Sequence, residues 1–225
     1  MALPPLDPGS RVADRAFEAI HAAILDGDLP PGAPLRIRSL ADELGTSMMP
    51  VREAIRRLEE QGLIVSSPYR GAVVRGFTPG EMLDVYAVRR LLEVEAARLG
   101  ASDAEREETA FRMEESYGAA RRALGEVRAA EYLARDEEML ETLYAASRNL
   151  VLVSSIRALW HRSRAYKLVG VRESVDAGES AALLDYQPAL IAAVRCGDGA
   201  RAAEVTASAI DAAIARIGGA LTEAG

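Results

Sequence analysis

Apolar positions along the chain follow two regimes. Between Ser10 and Val74 short helical stripes alternate with turns and two β-prone runs, whereas beyond Pro79 helical periodicity continues almost unbroken to Gly218. A first helix is predicted from Ser10 to about Asp26, with Val12, Phe17, Ile20, Ile24 and Leu25 on its apolar face and Gly27 past its end. The turn over residues 28–35, DLPPGAPL, is held extended by Pro30 and Pro31, and Gly32 permits a tight bend. Ser39 is the predicted N-cap of a short helix that turns Leu40, Ala41 and Leu44 inward. Gly45 ends that helix in the left-handed geometry that glycine tolerates. Ser47 caps the next helix, Pro50 fits its first turn, and Val51, Ile55 and Leu58 form a buried stripe that leaves out Arg52, Arg56 and Arg57. After Gly62, the runs Leu63-Ile64-Val65 and Ala72-Val73-Val74 flank the turn 66–71 as a candidate two-stranded hairpin.

Phe77-Thr78-Pro79-Gly80 marks a boundary, with Thr78 as a cap, Pro79 at the first helical position and Glu81 in the first turn. The helices predicted beyond it cover 79–99, 102–122, 126–147, 149–176, 179–196 and 199–217, in a segment dominated by alanine, leucine, glutamate and arginine. Ser102 with Glu105 has the spacing of a capping box, and Asn149 caps the fourth helix. Pro188 either kinks the fifth helix or marks its true start. On the first of these helices Met82, Val85, Val88, Leu92 and Leu99 face inward, with Arg89, Arg90, Glu93 and Glu95 nearer the edges. The fold class that follows is mainly α: a winged helix-turn-helix over 10–76 and an all-helical bundle over 79–218.

Composition supports a folded chain, with 49% hydrophobic and 27% charged residues. A single cysteine, Cys196, excludes a disulfide framework and a thiolate metal cluster and is expected to be a packed side chain. The proline-rich start lacks the pattern of an export signal, and no later stretch is long and apolar enough to span a membrane, so a cytoplasmic location is expected. The net charge of −7 is unevenly shared. Residues 1–76 carry 9 Lys/Arg and 10 Asp/Glu, whereas the remainder carries 18 and 24. A near-neutral head binds DNA when its arginines share one surface.

A helix anchored by one face, with Ser47, Met48, Met49 and Arg52 near its N-terminal end, has the layout of a recognition helix that enters a major groove. Arg70 and Gly71 at the wing tip, with Arg75 beyond them, are placed to approach phosphates. The stretch LPPGAPLRIRSLADELGTSMMPVREAIRRLEEQGLIV followed by YRGAVV resembles the winged helix-turn-helix of GntR-type bacterial transcription regulators. Its PG, LA, LG, PVREA and GL landmarks stand at that family's spacing. The resemblance implies that Arg38 contacts DNA. It also exposes a departure, because Met48 stands where the family usually has arginine. Methionine there either shifts operator preference, reading a thymine methyl, or weakens binding.

Farther on, YAVRRLLEVEAARL, AASRNLVL and ALIAAVRCGDGARAAEV resemble segments of the FadR-like C-terminal ligand-binding domain, the FCD type. Many domains of that type are helical barrels that hold a divalent metal through one aspartate and three histidines. Here Asp136 takes the aspartate position, but the histidine positions are occupied by Leu140, Gln187 and Ala209. One carboxylate and one amide make a poor site for zinc or nickel. The metal is therefore expected to be lost, and no cofactor is expected. The chain's other histidines are His21, read as a surface or packing residue, and His161, read as a polar core residue or a partner of Asp136 in a displaced geometry.

An effector is then expected to be held by protein groups: Arg89, Arg90, Asp136, Tyr144, His161, Arg164 and Gln187, with Tyr86, Tyr132, Tyr166 and Lys167 beside them, the run RSRAYK over 162–167 reading equally well as a solvated face or a salt-bridged dimer edge. An arginine lining a cavity clasps a carboxylate through two parallel hydrogen bonds. The resemblance implies a homodimeric, metabolite-responsive repressor that binds double-stranded DNA at a palindromic operator. One alternative is a regulator that has lost effector sensing and acts as a constitutive DNA binder or a protein-docking scaffold. An enzyme is not expected, because Asp136 and its acidic neighbours lack a nucleophile–base arrangement or a cofactor fingerprint.

Overall fold

The computed structural model describes residues 9–67 and 71–222. The chain divides into two compact units, Met1–Phe77 and Thr78–Gly225.

In the first unit, α1 (Gly9–Leu25) packs on α3 (Met48–Glu60), with α2 (Ile37–Glu43) bracing α3. Ile20, Ile24, Ala41, Val51, Ile55 and Leu58 form the shared core. Val12 departs from its expected place, at 40% exposure, and Ala13 and Ala16 turn inward instead. Two further expectations fail at α2. The helix starts at Ile37 with Arg36 as its extended N-cap, so Ser39 lies inside it and bonds Glu43 rather than capping. That earlier start makes Leu44 the C-cap, and its side chain is exposed. Gly45 does adopt a left-handed φ of 62° and turns the chain toward α3.

The hairpin β2 (Ile64–Ser67) and β3 (Gly71–Val74) is antiparallel, with Ile64 opposite Val74 and Ser67 opposite Gly71. A third strand, β1 (Pro34–Leu35), pairs with the other edge of β3, giving the order β1-β3-β2. The sequence predicts only the pair, because a two-residue strand inside a proline-rich turn leaves no alternation to read. Its pairing tethers α1 and α2 to the wing, which a lone ribbon needs for stability.

The second unit contains α4 (Pro79–Ala101), α5 (Arg106–Gly125), α6 (Ala129–Ala145), α7 (Leu150–Asp176), a 3-10 turn (Ser180–Leu184), α8 (Gln187–Cys196) and α9 (Gly199–Thr222). Thr78 and Glu81 form a reciprocal capping box: Glu81 N–H donates to Thr78 Oγ1 at 3.3 Å and Thr78 N–H to Glu81 Oε2 at 2.9 Å. Asn149 caps α7 through its side-chain oxygen, which accepts from Leu152 N–H at 3.0 Å. Ser102 does not open α5 but closes α4, its hydroxyl donating to the Arg98 carbonyl. The reason is packing. Ala96, Ala97 and Ala101 are fully buried, and a Cβ on Gly100 would lie 2.1 Å from the Leu143 carbonyl oxygen of α6. The close crossing carries α4 two residues past its predicted end. Pro188 sits in the first turn of α8, so it starts that helix rather than kinking a longer one. Cys196 is exposed, contrary to the expectation of packing, because it falls in the last turn of α8.

Two clusters form the core of this unit. One gathers Met113, Met139, Leu143, Ile156, Trp160 and Leu190, and the other Ala123, Leu133, Leu168 and Val171. Between α4, α6, α7 and α9 the packing leaves a cavity of about 840 Å³.

Candidate DNA-reading edge and effector cavity

Ser47 takes extended angles (φ −81°, ψ 165°) before α3 and makes no side-chain cap bond, which leaves its hydroxyl exposed. Met48 and Met49 follow at 50% and 70% exposure, an unusual display for apolar side chains. Arg52 lies one turn on, exposed and without an ion-pair partner among the described residues, and Arg38 on α2 is in the same state. Arg36, which the sequence reading did not single out, shares these properties. The other arginines of α3 are occupied. Arg56 is bridged to Glu53 and Glu60, while Arg57 pairs with Asp14 at 2.6 Å and lies over the Phe17 ring. Among the described residues, Arg36, Arg38 and Arg52 are thus unpaired near the N-terminal ends of α2 and α3, as is Arg15 on α1.

At the wing, Gly71 opens β3 with a left-handed φ of 74°, and Arg70 lies outside the described residues. Arg75 stacks over Phe77, with 5.3 Å from its guanidinium to the ring centroid.

The cavity of the second unit is built around charges that sequence periodicity places at an edge. Arg89 and Glu93 are one helical turn apart on α4 and are 4% and 1% exposed, so both lie inside. Val88, expected there, is displaced to 44% exposure. Arg89 Nε donates to Glu93 Oε1 at 2.7 Å, and the same carboxylate accepts from Trp160 Nε1 at 2.9 Å and Tyr144 Oη at 3.1 Å. Burial opposes the charge of Arg89, but Glu93 and the facing phenols more than offset it and hold the guanidinium pKa above its ordinary value. Arg89 also lies 4.5 Å from the Tyr86 ring centroid. One of its terminal nitrogens, Nη1, is buried with no protein partner. Thr206 Oγ1 on α9 is likewise buried and unpartnered, and both residues line the cavity.

Asp136 on α6 lines the same space at 7% exposure. Its Oδ1 accepts from Tyr186 Oη at 2.5 Å and from Gln187 Nε2 at 2.9 Å. Burial, then the Asp136 charge, push the Tyr186 hydroxyl well above the usual phenol range, so it remains a donor. Tyr144 and Lys167 also line the cavity. Burial and the nearby Arg89 cation push the Lys167 ammonium down to about 8. Its Nζ lies 2.9 Å from Glu137, which also takes Arg164.

Three expected effector residues fall elsewhere. Arg90 points away from the cavity and chelates Asp211 at 2.7 and 3.1 Å. His161 is exposed on α7, and burial of part of its ring, with Arg157 nearby, lowers its pKa. Arg164 supports Lys167 through their shared carboxylate rather than lining the wall. Helical spacing gives the face only to within about a third of a turn, and for Arg90 and Arg164 a neighbouring acid decides the rest. Gln187 is buried and reaches the site through Asp136, its Oε1 remaining unpartnered. Glu93 and Thr206 were missed. Glu93 had a signal in its four-residue spacing from Arg89, and Thr206 had none.

The positions implied for metal ligands do not fit a metal. Leu140 and Ala209 line the cavity but supply no donor atom, and Gln187 spends its amide on Asp136 and the Leu183 carbonyl. Among the described residues no three His, Cys, Asp or Glu side chains converge on one point.

Residues 12–74 match the bacterial regulatory proteins of the gntR family, and residues 84–212 match the FCD domain. The chain is 39% identical over 92 residues to the "Probable D-xylose utilization operon transcriptional repressor" of Paenarthrobacter nicotinovorans, covering 41% of each protein. It is 31% identical over 138 residues to the "Nta operon transcriptional regulator" of Aminobacter aminovorans, covering 60% of this chain and 63% of that one. These matches thus span only part of each relative. Two solved structures share the fold at 22% identity: Escherichia coli McbR/YncC, with a TM-score of 0.77 over 92% of this chain and 96% of that one, and a GntR transcriptional regulator from Rhodococcus sp. RHA1, with a TM-score of 0.79 over 94% and 99%.

Proposed function

The chain belongs to the FadR-like branch of the gntR family of bacterial regulatory proteins, with a helix-turn-helix joined to an FCD domain, and from that premise we propose that it is a cytoplasmic, metabolite-responsive transcriptional repressor. The observation that carries the DNA-binding half is the presence of free arginines at the reading edge. Arg38 and Arg52 stand exposed and unpaired at the N-terminal ends of the bracing and recognition helices, while Arg56 and Arg57 are neutralised by acids. Ser47, Met48 and Met49 complete the reading edge, and the wing supplies Gly71 and Arg70. Two copies then read the two halves of a palindromic operator, about 34 Å apart or at a related helical spacing. Met48 replaces a charged contact with an apolar one, suited to a thymine methyl.

The sensing half rests on the unpartnered Arg89 Nη1 in a cavity of about 840 Å³, a volume suited to a small metabolite. A buried guanidinium N–H without an acceptor is costly, and an effector carboxylate supplies that acceptor. The effector is held by protein groups with no metal ion. The open cavity favours sensing over a constitutive binder, whose interior needs no such space.

The test begins with selection of an operator from a random DNA pool by the purified full-length protein. Arg52→Ala is expected to weaken binding to the selected site by about 1–3 kcal/mol and to relax specificity at one position of each half-site. Selection of no site, or equal binding by the variant, contradicts this reading.

A further inference from the structure

Among the described residues of the second unit, the buried charged side chains Arg89, Glu93 and Asp136 are not balanced alike. Arg89 and Glu93 neutralise each other at 2.7 Å. Asp136 receives only neutral donors, Tyr186 and Gln187, and both converge on Oδ1. Its Oδ2 has no donor and the carboxylate no ion pair among the described residues. In the same cavity, Arg89 Nη1 has no acceptor. Lys167 adds a second cation to the cavity wall, its Nζ 2.9 Å from Glu137, which Arg164 also contacts. The cavity wall therefore carries two poles, a cationic one at Arg89 and Lys167 and an anionic one at Asp136, with Glu173, Glu179, Asp185 and Arg201 also lining the space.

A simple carboxylate satisfies the first pole and brings its own charge toward the second. In a partly desolvated cavity that repulsion is not screened as it is in water. A molecule carrying both charges satisfies both. Its ammonium N–H groups supply the donors that Asp136 Oδ2 lacks, and its carboxylate supplies the acceptor that Arg89 Nη1 lacks. Charge-assisted hydrogen bonds of this kind are about twice as strong as neutral ones. Thr206 Oγ1, also unpartnered, is available to a further polar atom on the ligand.

We propose that the effector is an amino-carboxylate, a zwitterion whose carboxylate lies at Arg89 and Lys167 and whose ammonium lies at Asp136. This rests on reading the cavity as the effector site, and it makes Asp136 a specificity-determining residue for a cationic group. With Leu140, Gln187 and Ala209 at the three other positions of the implied metal-type set, Asp136 is left as an organic cation's counterion.

Isothermal titration of the full-length protein tests the idea with matched pairs: L-leucine and 4-methylpentanoate, L-phenylalanine and 3-phenylpropanoate, 6-aminohexanoate and hexanoate. At least one amino compound is expected to bind wild type at least tenfold more tightly than its des-amino partner. Asp136→Asn is expected to erase that preference while leaving the des-amino acid unchanged or tighter. If Asp136→Asn does not fold, the wild-type preference alone decides. Equal or tighter binding of the des-amino acids overturns the zwitterion and leaves the carboxylate-sensing cavity standing. Binding by neither series overturns both. Stabilisation of the wild type, but not of Asp136→Asn, by Zn²⁺ or Ni²⁺ alone overturns the proposal in favour of a metal at Asp136.

Discussion

At the scale of single residues, the energetics of the helical unit turn on Glu93. Its carboxylate accepts from Arg89, Trp160 and Tyr144 in a space almost closed to solvent. Removing one member of a buried ion pair leaves the other charge uncompensated, so Glu93→Ala is expected to destabilise the protein by about 3–5 kcal/mol. The paired change Arg89→Met with Glu93→Leu is expected to cost much less, and chemical denaturation of the two variants makes the comparison. Lys167 sets a pH dependence. With its pKa lowered to about 8, it is charged at neutral pH and loses its proton above 8. An effector carboxylate seated at Lys167 favours the protonated form, so effector affinity is expected to fall by up to about tenfold per pH unit above 8. Titration calorimetry at pH 7 and 9 checks this, and Lys167→Arg is expected to flatten the profile. The residues behind both predictions were only half legible. Arg89 and Glu93 are at i and i+4 and so share a face, but which face turns inward depends on α9 and α7, which no local pattern specifies.

At the scale of elements, the turns between helices carry their own strain. Val127, between α5 and α6, takes a φ of 59° and is 67% exposed. A β-branched side chain in the left-handed region is sterically costly, and nothing buried there repays it. Val127→Asn is expected to raise stability by about 1 kcal/mol, read as a higher melting temperature. Arg148, with a φ of 56°, is the contrasting case, since its side chain ties the turn to Asp103 at 2.9 Å. Helix ends were legible where the cap was local, as at Thr78 and Asn149. They were misread at Ser39 and Ser102, where a good capping sequence lies inside or behind a helix that packing has extended. A cap contributes about 1 kcal/mol. The burial of Ala96, Ala97 and Ala101 against α6 outweighs it.

At the scale of the molecule, the two units divide the proposed work between DNA and effector. A ligand shifts operator occupancy only if its affinity differs between the operator-binding and released states. Once an operator and effector are identified, release is expected to proceed equally with and without a chelator such as EDTA, measured by fluorescence anisotropy. Loss of the response in the chelator would restore a metal to the mechanism. Among the described residues, no helix is long and apolar enough to cross a membrane.

The sequence by itself determined the order of the α-helices, the helix-turn-helix with its wing hairpin and the absence of histidine at the positions the family resemblance assigns to a metal. Each of these is written locally, in periodicity, in turn residues or in residue identity. Only the tertiary structure decided that β1 completes the wing sheet, that Arg89 and Glu93 are inside while Arg90 and His161 are not, and that Asp136 faces a cavity with only neutral donors bonded to it. Those outcomes depend on which helices approach one another and which charges are already neutralised. Contacts between residues some 50 to 120 positions apart settle them, as Tyr144 with Glu93 and Arg90 with Asp211 illustrate.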